Sequence, residues 1–174
     1  AEETDYANNV DEELSCGILI VGGGLTGVCA AVQAGENGDD VLIIEGQAAL
    51  GGNGLGVECT CGYGLHPNTE NVPLGEMIAY EVKSQAYAIN PLFYRDLLEN
   101  AGKNIEWLMG NGVEYQPTEE ISEEYLAMYK EGRYRAEYSF DFVYKDGAAG
   151  IGYFPAMKKK LKEYGAGLRL NTRG

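Results

Sequence analysis

The stretch that most constrains this chain is an apolar run that ends abruptly in glycine: residues 16–21 (CGILIV), followed at once by Gly22-Gly23-Gly24-Leu25-Thr26-Gly27. A continuous apolar run of this length, bounded by a turn signal, predicts a strand buried on both faces of a parallel sheet. Beyond it Val28, Ala31 and Val32 recur at helical spacing as far as about Glu36, and Gly35 and Gly38 close the segment. Asp39 and Asp40 then lead into a second apolar run at residues 41–44 (VLII). Strand, helix and strand within about 30 residues make a minimal βαβ unit, whose crossover is right-handed.

The glycines satisfy G-x-G-x-x-G directly after a strand and directly before a helix, the context in which the pattern carries meaning. Gly22 permits the tight turn, Gly24 lets a pyrophosphate approach the backbone, and Gly27 lets helix and strand pack closely. The free N–H groups of the helix start, at Leu25 and Thr26, meet the negative charge. Glu45 ends the second strand 18 residues after Gly27, where a carboxylate accepts hydrogen bonds from an adenosine ribose. An acid at that place disfavours a 2′-phosphate, so NADP is the dinucleotide least suited to it. FAD and NAD share this fold, and Gly51-Gly52-Asn53 separates them: a second glycine pair beyond the ribose-binding acid brings backbone to the far end of a long, extended dinucleotide, as FAD requires.

The remainder of the chain predicts a mostly helical insertion at about residues 73–154, followed by a further strand. Residues 46–68 read as loop, with seven glycines between Gly46 and Gly64. Helical patterns follow at residues 74 to about 89 and at 91–109, the second opening on Pro91 at its first position, with Leu97, Ala101, Ile105 and Leu108 on one face. A short helix is expected over 119–130, and a strand and turn at 138–144 before Asp146-Gly147. A basic helix follows at 155–164, then a last strand at 168–171. That strand should join the first two in one parallel sheet, either in the order third, second, first or beside the first. The fold class is thus α/β, a Rossmann-like parallel sheet with an insertion. Residues 1–13 carry six acids and no base and read as a disordered, solvated leader, which leaves 14–174 for the domain.

Thirteen basic against 27 acidic side chains give a formal charge of −14, which repels a phosphate backbone and excludes nucleic acid as a natural partner. No apolar run approaches the roughly 20 residues of a membrane span, so a soluble protein is expected, cytoplasmic or exported. The 25 glycines follow no collagen period. Cys16, Cys29, Cys59 and Cys61 are too few for a disulfide scaffold, and the spacing of the last two fits neither a metal site nor a redox dithiol.

Residues 18–53 (ILIVGGGLTGVCAAVQAGENGDDVLIIEGQAALGGN) resemble the opening of the fumarate reductase and succinate dehydrogenase flavoproteins, in particular their soluble bacterial relatives that reduce activated alkenes. The likeness continues through Asn104-Ile105-Glu106-Trp107-Leu108 and Gly112-Val113-Glu114, then from Gly165 to Thr172. It covers nearly the whole chain but only the opening portion of a family member. The resemblance implies FAD as cofactor, with Gly22, Gly24 and Gly27 at the pyrophosphate, Glu45 at the ribose, and Gly52 and Asn53 at the flavin side. It implies hydride transfer from flavin N5 to a small unsaturated carboxylic acid, once further segments complete the site. Members with covalent flavin carry a His near the position of Asn53; none stands here, so the flavin is expected to be noncovalent. The family's Ala-Gly-Gly type sequence is replaced by Val57-Glu58-Cys59-Thr60.

Three readings stay open. One is this flavin oxidoreductase, another an NAD-dependent dehydrogenase domain, and the third a nucleotide-binding fragment without turnover, with association between copies a further option. His66, the sole histidine, reads as an exposed loop residue rather than a proton carrier. Lys158, Lys159, Lys160 and Lys162 read as a solvated helix face. The tyrosines between Tyr115 and Tyr164 could cover a cleft or an interface, and no catalytic residue is named.

Overall fold

The computed structural model describes residues 12–52, 59–118, 123–131, 140–145 and 152–173. The chain divides into two compact units, one made of residues 1–52 with 160–174, the other of residues 53–159.

In the first unit, β1 (Ile18–Val21), α1 (Leu25–Glu36), β2 (Val41–Ile44) and β6 (Gly167–Arg169) follow the pattern of apolar runs and glycine stops. The strands form one parallel sheet in the order β1-β2-β6, the third-second-first order expected of a dinucleotide-binding sheet. Ile18 stands opposite Val41 and Val21 opposite Ile44, while Ile43 stands opposite Leu168. Helix α1 buries Val28, Ala31 and Val32 completely, so its apolar stripe meets the apolar sheet. Its end is closed by Gly38, whose φ of +85° permits the left-handed turn, and by the Asp39 N–H donating to the Ala34 carbonyl.

The second unit packs α2 (Leu74–Ser84) and α3 (Pro91–Gly110) with an antiparallel sheet of β3 (Cys59–Cys61), β5 (Asp141–Tyr144) and β4 (Tyr115–Pro117), in the order β3-β5-β4. Its core gathers Tyr63, Val72, Met77, Ile78, Leu98, Ala101 and Phe140. The α3 N-terminus forms as its sequence asks: Pro91 opens the helix and the Asn90 side chain accepts the Leu92 N–H at 3.0 Å. A short helix α4 (Glu123–Lys130) and the lysine-bearing α5 (Phe154–Glu163) complete the elements.

Several expectations need correction here. The region expected as loop at 46–68 contains β3, and a 3-10 helix spans Pro67–Asn71. Strands of three residues show no alternation to read, and β3 gains its hydrogen bonds from β5, far along the chain. Strand β4 is missed for the same reason. Helix α2 stops at Ser84 rather than near Ile89, because Ala86 and Tyr87 turn left-handed (φ +50° and +63°) and the Tyr87 N–H closes back on the Val82 carbonyl. On α3 the buried residue is Leu98, fully enclosed, and not Leu97, which is 43% exposed; both fit a stripe with Ala101 and Ile105, and packing against Tyr63 and Phe140 selects one. The last strand ends at Arg169, and Asn171 at φ +54° has left the extended conformation. Apart from Glu12 and Glu13, the acidic leader lies outside the described residues, as does the Asp146-Gly147 turn.

Candidate functional site

The glycine loop and the end of β2 come together in the first unit. Gly22 takes φ +100°, and its N–H donates to the Ile44 carbonyl at 2.8 Å, so the turn after β1 is pinned to β2. A Cβ on Gly27 would collide with the Gly22 carbonyl oxygen, and one on Gly23 with Leu50. Gly27 is glycine because the backbone leaves no room, whereas at Gly23 the end of the Leu50 side chain would have to move aside.

Gly24 differs. Its φ of −74° suits any residue, and among the described residues a Cβ there would meet nothing nearer than the Gly51 carbonyl oxygen at 3.9 Å. Packing does not require glycine at 24. It is the N-cap of α1, which has neither a side-chain cap bond nor an acid in its first turn, so the helix-start amides at Leu25 and Thr26 present uncompensated positive polarity. An anion approaching Gly24 meets bare backbone and that polarity together.

The Glu45 carboxylate sits beneath the loop. Its Oε2 accepts the Gly23 N–H at 2.6 Å and its Oε1 accepts the Gln47 N–H at 2.7 Å. These bonds, led by the one from Gly23, hold its carboxyl below the ordinary carboxylate range, so it is ionised at neutral pH. Each oxygen keeps a further acceptor position, which two neighbouring hydroxyls of a ribose can fill.

The second glycine pair is laid beside the first. Gly51 forms a parallel bridge with Gly24, and its N–H donates to the Gly23 carbonyl at 2.9 Å. Gly51 (φ +141°) and Gly52 (φ +53°) both take conformations that glycine favours. Leu50, 6% exposed, anchors this loop against Gly23. The geometry therefore unites Gly22, Gly24, Leu25, Thr26, Gly27, Glu45, Gly51 and Gly52, while Asn53 and Glu58 lie outside the described residues. The sequence reading missed the roles of Gly23, Gln47 and Leu50. Leu50, the one bulky apolar side chain between Glu45 and Gly51, was the available signal.

The residues set aside divide differently from what was expected. His66 is buried, 2% exposed, and not a surface loop residue. Its Nδ1 accepts the Asn68 N–H at 3.1 Å, which leaves Nε2 to donate to Thr118 Oγ1 at 3.2 Å, and its ring meets Phe140 and Phe142 edge-on. Burial holds its pKa below the ordinary histidine value, opposed by the Thr118 contact. Tyr115 and Tyr144 stack at 4.8 Å and join through their hydroxyls at 3.2 Å, both buried, and burial drives the Tyr144 hydroxyl far above its ordinary pKa. These two tyrosines are part of the buried interior of the second unit. Lys158, Lys159 and Lys162 are exposed on α5, and Lys160 pairs with Glu163 at 3.1 Å. Cys16 and Cys29 are free thiols, and no metal-binding cluster occurs among the described residues.

The family described as FAD-dependent oxidoreductase matches residues 17–131, which takes in βαβ unit, glycine loops and Glu45. The chain belongs to that family. Its cofactor is FAD, and the NAD-dependent reading is withdrawn. Among curated relatives it is 29% identical over 102 residues to the vinyl phenol reductase of Lactiplantibacillus plantarum, covering 57% of this chain and 21% of that protein. It is 30% identical over 102 residues to the NADH:fumarate oxidoreductase of Klebsiella pneumoniae, covering 55% of this chain and 11% of the relative, in keeping with the fumarate reductase resemblance of residues 18–53. A 3-ketosteroid-Δ4-(5α)-dehydrogenase from Rhodococcus jostii RHA1, solved with 4-androstene-3,17-dione, shares the fold with a TM-score of 0.69 at 16% identity, over 95% of this chain and 40% of that one. This flavoprotein chain thus spans about a fifth or less of the curated relatives just named. Among its described residues no helix is long and apolar enough to cross a membrane.

Proposed function

We propose that these 174 residues are the FAD-holding portion of a flavin-dependent reductase whose longer form reduces a carbon–carbon double bond conjugated to a carboxylate. The observation that carries the reading is Gly24: a glycine the fold does not need, at an uncapped helix start, facing a second glycine loop and flanked by an ionised carboxylate. In this reading Gly22, Gly24, Leu25, Thr26 and Gly27 hold the pyrophosphate, and Glu45 binds the ribose hydroxyls. Gly51, Gly52 and Asn53 lie toward the flavin, which is held without a covalent bond. The residues fit the group, because Glu45 retains acceptor positions after binding Gly23 and Gln47, and among the described residues a Cβ on Gly24 would meet only the Gly51 carbonyl oxygen, at 3.9 Å.

FAD, when bound and reduced, supplies a hydride at flavin N5, and the protein orients it. The part of this chain is to bind and position. His66 offers no proton donor, since it is enclosed and both ring nitrogens are already bonded. The carboxylate clamp and the proton donor are assigned to residues outside this chain. The names of two relatives, one acting on a vinyl phenol and one on fumarate, support an alkene as the substrate class.

Titration of apo-protein with FAD and FMN, followed by flavin fluorescence, tests the cofactor site. FAD binds and FMN, lacking the adenosine half, binds far more weakly; equal affinity would sink the assignment of Glu45 and Gly24. Acid precipitation should release all flavin to the supernatant. With FAD and a reduced viologen under anaerobic conditions, fumarate should oxidise the dye no faster than with free flavin. Turnover above that control, lost in Gly24→Val, would place a working site within this chain.

A further inference from the structure

Strand β6 does not end as a regular parallel strand would, and the irregularity lies against Glu45. Ile44 stands opposite Arg169, and the Glu45 N–H donates to the Arg169 carbonyl at 2.8 Å. A parallel ladder continued from there would give the Asn171 N–H to the Glu45 carbonyl and the Gln47 N–H to the Asn171 carbonyl. Both donors are redirected. Asn171 turns left-handed at φ +54°, the Thr172 N–H takes the Glu45 carbonyl at 2.9 Å, and the Asn171 N–H passes on to the Gln47 carbonyl at 3.0 Å. One extra residue is thereby accommodated on the β6 side, as in a β-bulge. The Thr172 hydroxyl donates to the Leu170 carbonyl at 3.1 Å and closes the turn.

The redirection acts at the carboxylate. In the continued ladder the Gln47 N–H would be occupied by the Asn171 carbonyl, whereas here it donates to Glu45 Oε1 at 2.7 Å while Oε2 accepts the Gly23 N–H at 2.6 Å. Residue 45 is held at its own N–H by Arg169 and at its carbonyl by Thr172, and residue 47 is held at its carbonyl by Asn171. The segment that carries the carboxylate is therefore laced to the end of β6 on both sides of Gly46. Among L-residues Asn is one of the few that take a left-handed conformation readily. Its side chain at 171 is exposed, so what the fold asks of this position is a backbone conformation. We infer that Asn171 is a positioning residue of the ribose site: its left-handed turn releases the Gln47 N–H to orient the Glu45 carboxylate. The inference rests on the reading of Glu45 as the ribose-binding group.

The test compares the 174-residue chain with Asn171→Val, whose β-branched side chain resists a positive φ, and with Asn171→Gly, which accepts it. Without cofactor, NMR titration of the Glu45 side-chain carboxyl should place its pKa below the ordinary carboxylate range in the parent and in Asn171→Gly. In Asn171→Val it should move back toward that range, because the bond from Gln47 is lost. FAD should bind Asn171→Val at least about fivefold more weakly than the parent, and Asn171→Gly within about twofold of it. In a Glu45→Ala background, with no carboxylate to orient, Asn171→Val should change FAD affinity by less than about twofold. Asn171→Ala, a milder change, should move the titration and the affinity in the same directions and replaces Asn171→Val if that variant folds poorly. An identical Glu45 titration in parent and variant would overturn the inference. So would an equal loss of FAD affinity from Asn171→Val with and without Glu45, the mark of a merely structural role, or a loss in Asn171→Gly as large as that in Asn171→Val. Unchanged FAD affinity in Glu45→Ala alone would instead remove the ribose reading, and the inference with it.

Discussion

The parallel sheet beside Glu45 and the antiparallel sheet beside Phe142 are built from strands of three or four residues each, yet they treat their polar side chains in opposite ways. Glu45 is partly open, bonded to two backbone donors, and left with acceptor capacity. His66 is closed in, bonded at both nitrogens, and walled by two phenylalanines. A polar group with spare valence at an open place is a ligand-binding group, whereas one with none in a closed place is structural. By this criterion the proposed cofactor site belongs to the first unit, and the second is organised around its own core.

Substitutions in the two units should therefore separate stability from binding. Leu98→Ala removes a fully buried side chain from the core of the second unit and should cost about 2–5 kcal/mol, read from urea denaturation. FAD affinity at subsaturating denaturant should stay within twofold of the parent, and a parallel loss of affinity would break the contrast. Glu45→Ala should do the reverse, weakening FAD by about ten- to a hundredfold in a fluorescence titration while leaving the far-UV circular dichroism unchanged.

A smaller effect follows from His66. Burial lowers its folded pKa below the unfolded value, so the folded state favours the neutral ring. That contribution is present in full above the unfolded pKa, about 6.5, and is lost as pH falls from there toward the folded pKa. His66→Asn keeps an acceptor for the Asn68 N–H without titrating. Between pH 7.5 and 5 the parent should lose more stability than His66→Asn, and parallel curves would show that the ring is not buried neutral. The smallest effect is at Ala86, exposed and left-handed at φ +50° after α2. Ala86→Gly should stabilise by about 1 kcal/mol, seen as a raised Tm.

The legibility of the sequence differs between the same two regions. In the first unit β1 and β2 are unbroken apolar runs, glycines mark the turns after β1 and α1, and the loop at residues 22–27 is contiguous in sequence, so there local pattern and final contact coincide; β6, Gly167–Arg169, is no such run. That the third strand joins the same parallel sheet was legible even though it arrives far along the chain, whereas its place beside β2 rather than β1 was left open and is settled by the fold. In the second unit β3 and β4 are three-residue strands that exist through pairing with β5, and Leu98 is distinguished from Leu97 only by what faces it. The burial of His66 depends on Phe140, Phe142 and Thr118, all more than 50 positions away. Local sequence holds no record of such partners. Glu45 was legible as an acceptor but not as a clamp on Gly23, since that contact needs the folded loop.

The central claim is that Gly24 is glycine for a ligand while Gly27 is glycine for the fold, and one paired measurement addresses it. Gly24→Val and Gly27→Val are compared with the parent by thermal unfolding without cofactor and by FAD titration. Gly24→Val should unfold within a few degrees of the parent and bind no FAD, because its side chain fills only the space over the loop. Gly27→Val should unfold far below the parent, its side chain driven into the Gly22 carbonyl. FAD bound by Gly24→Val with parental affinity would contradict the account.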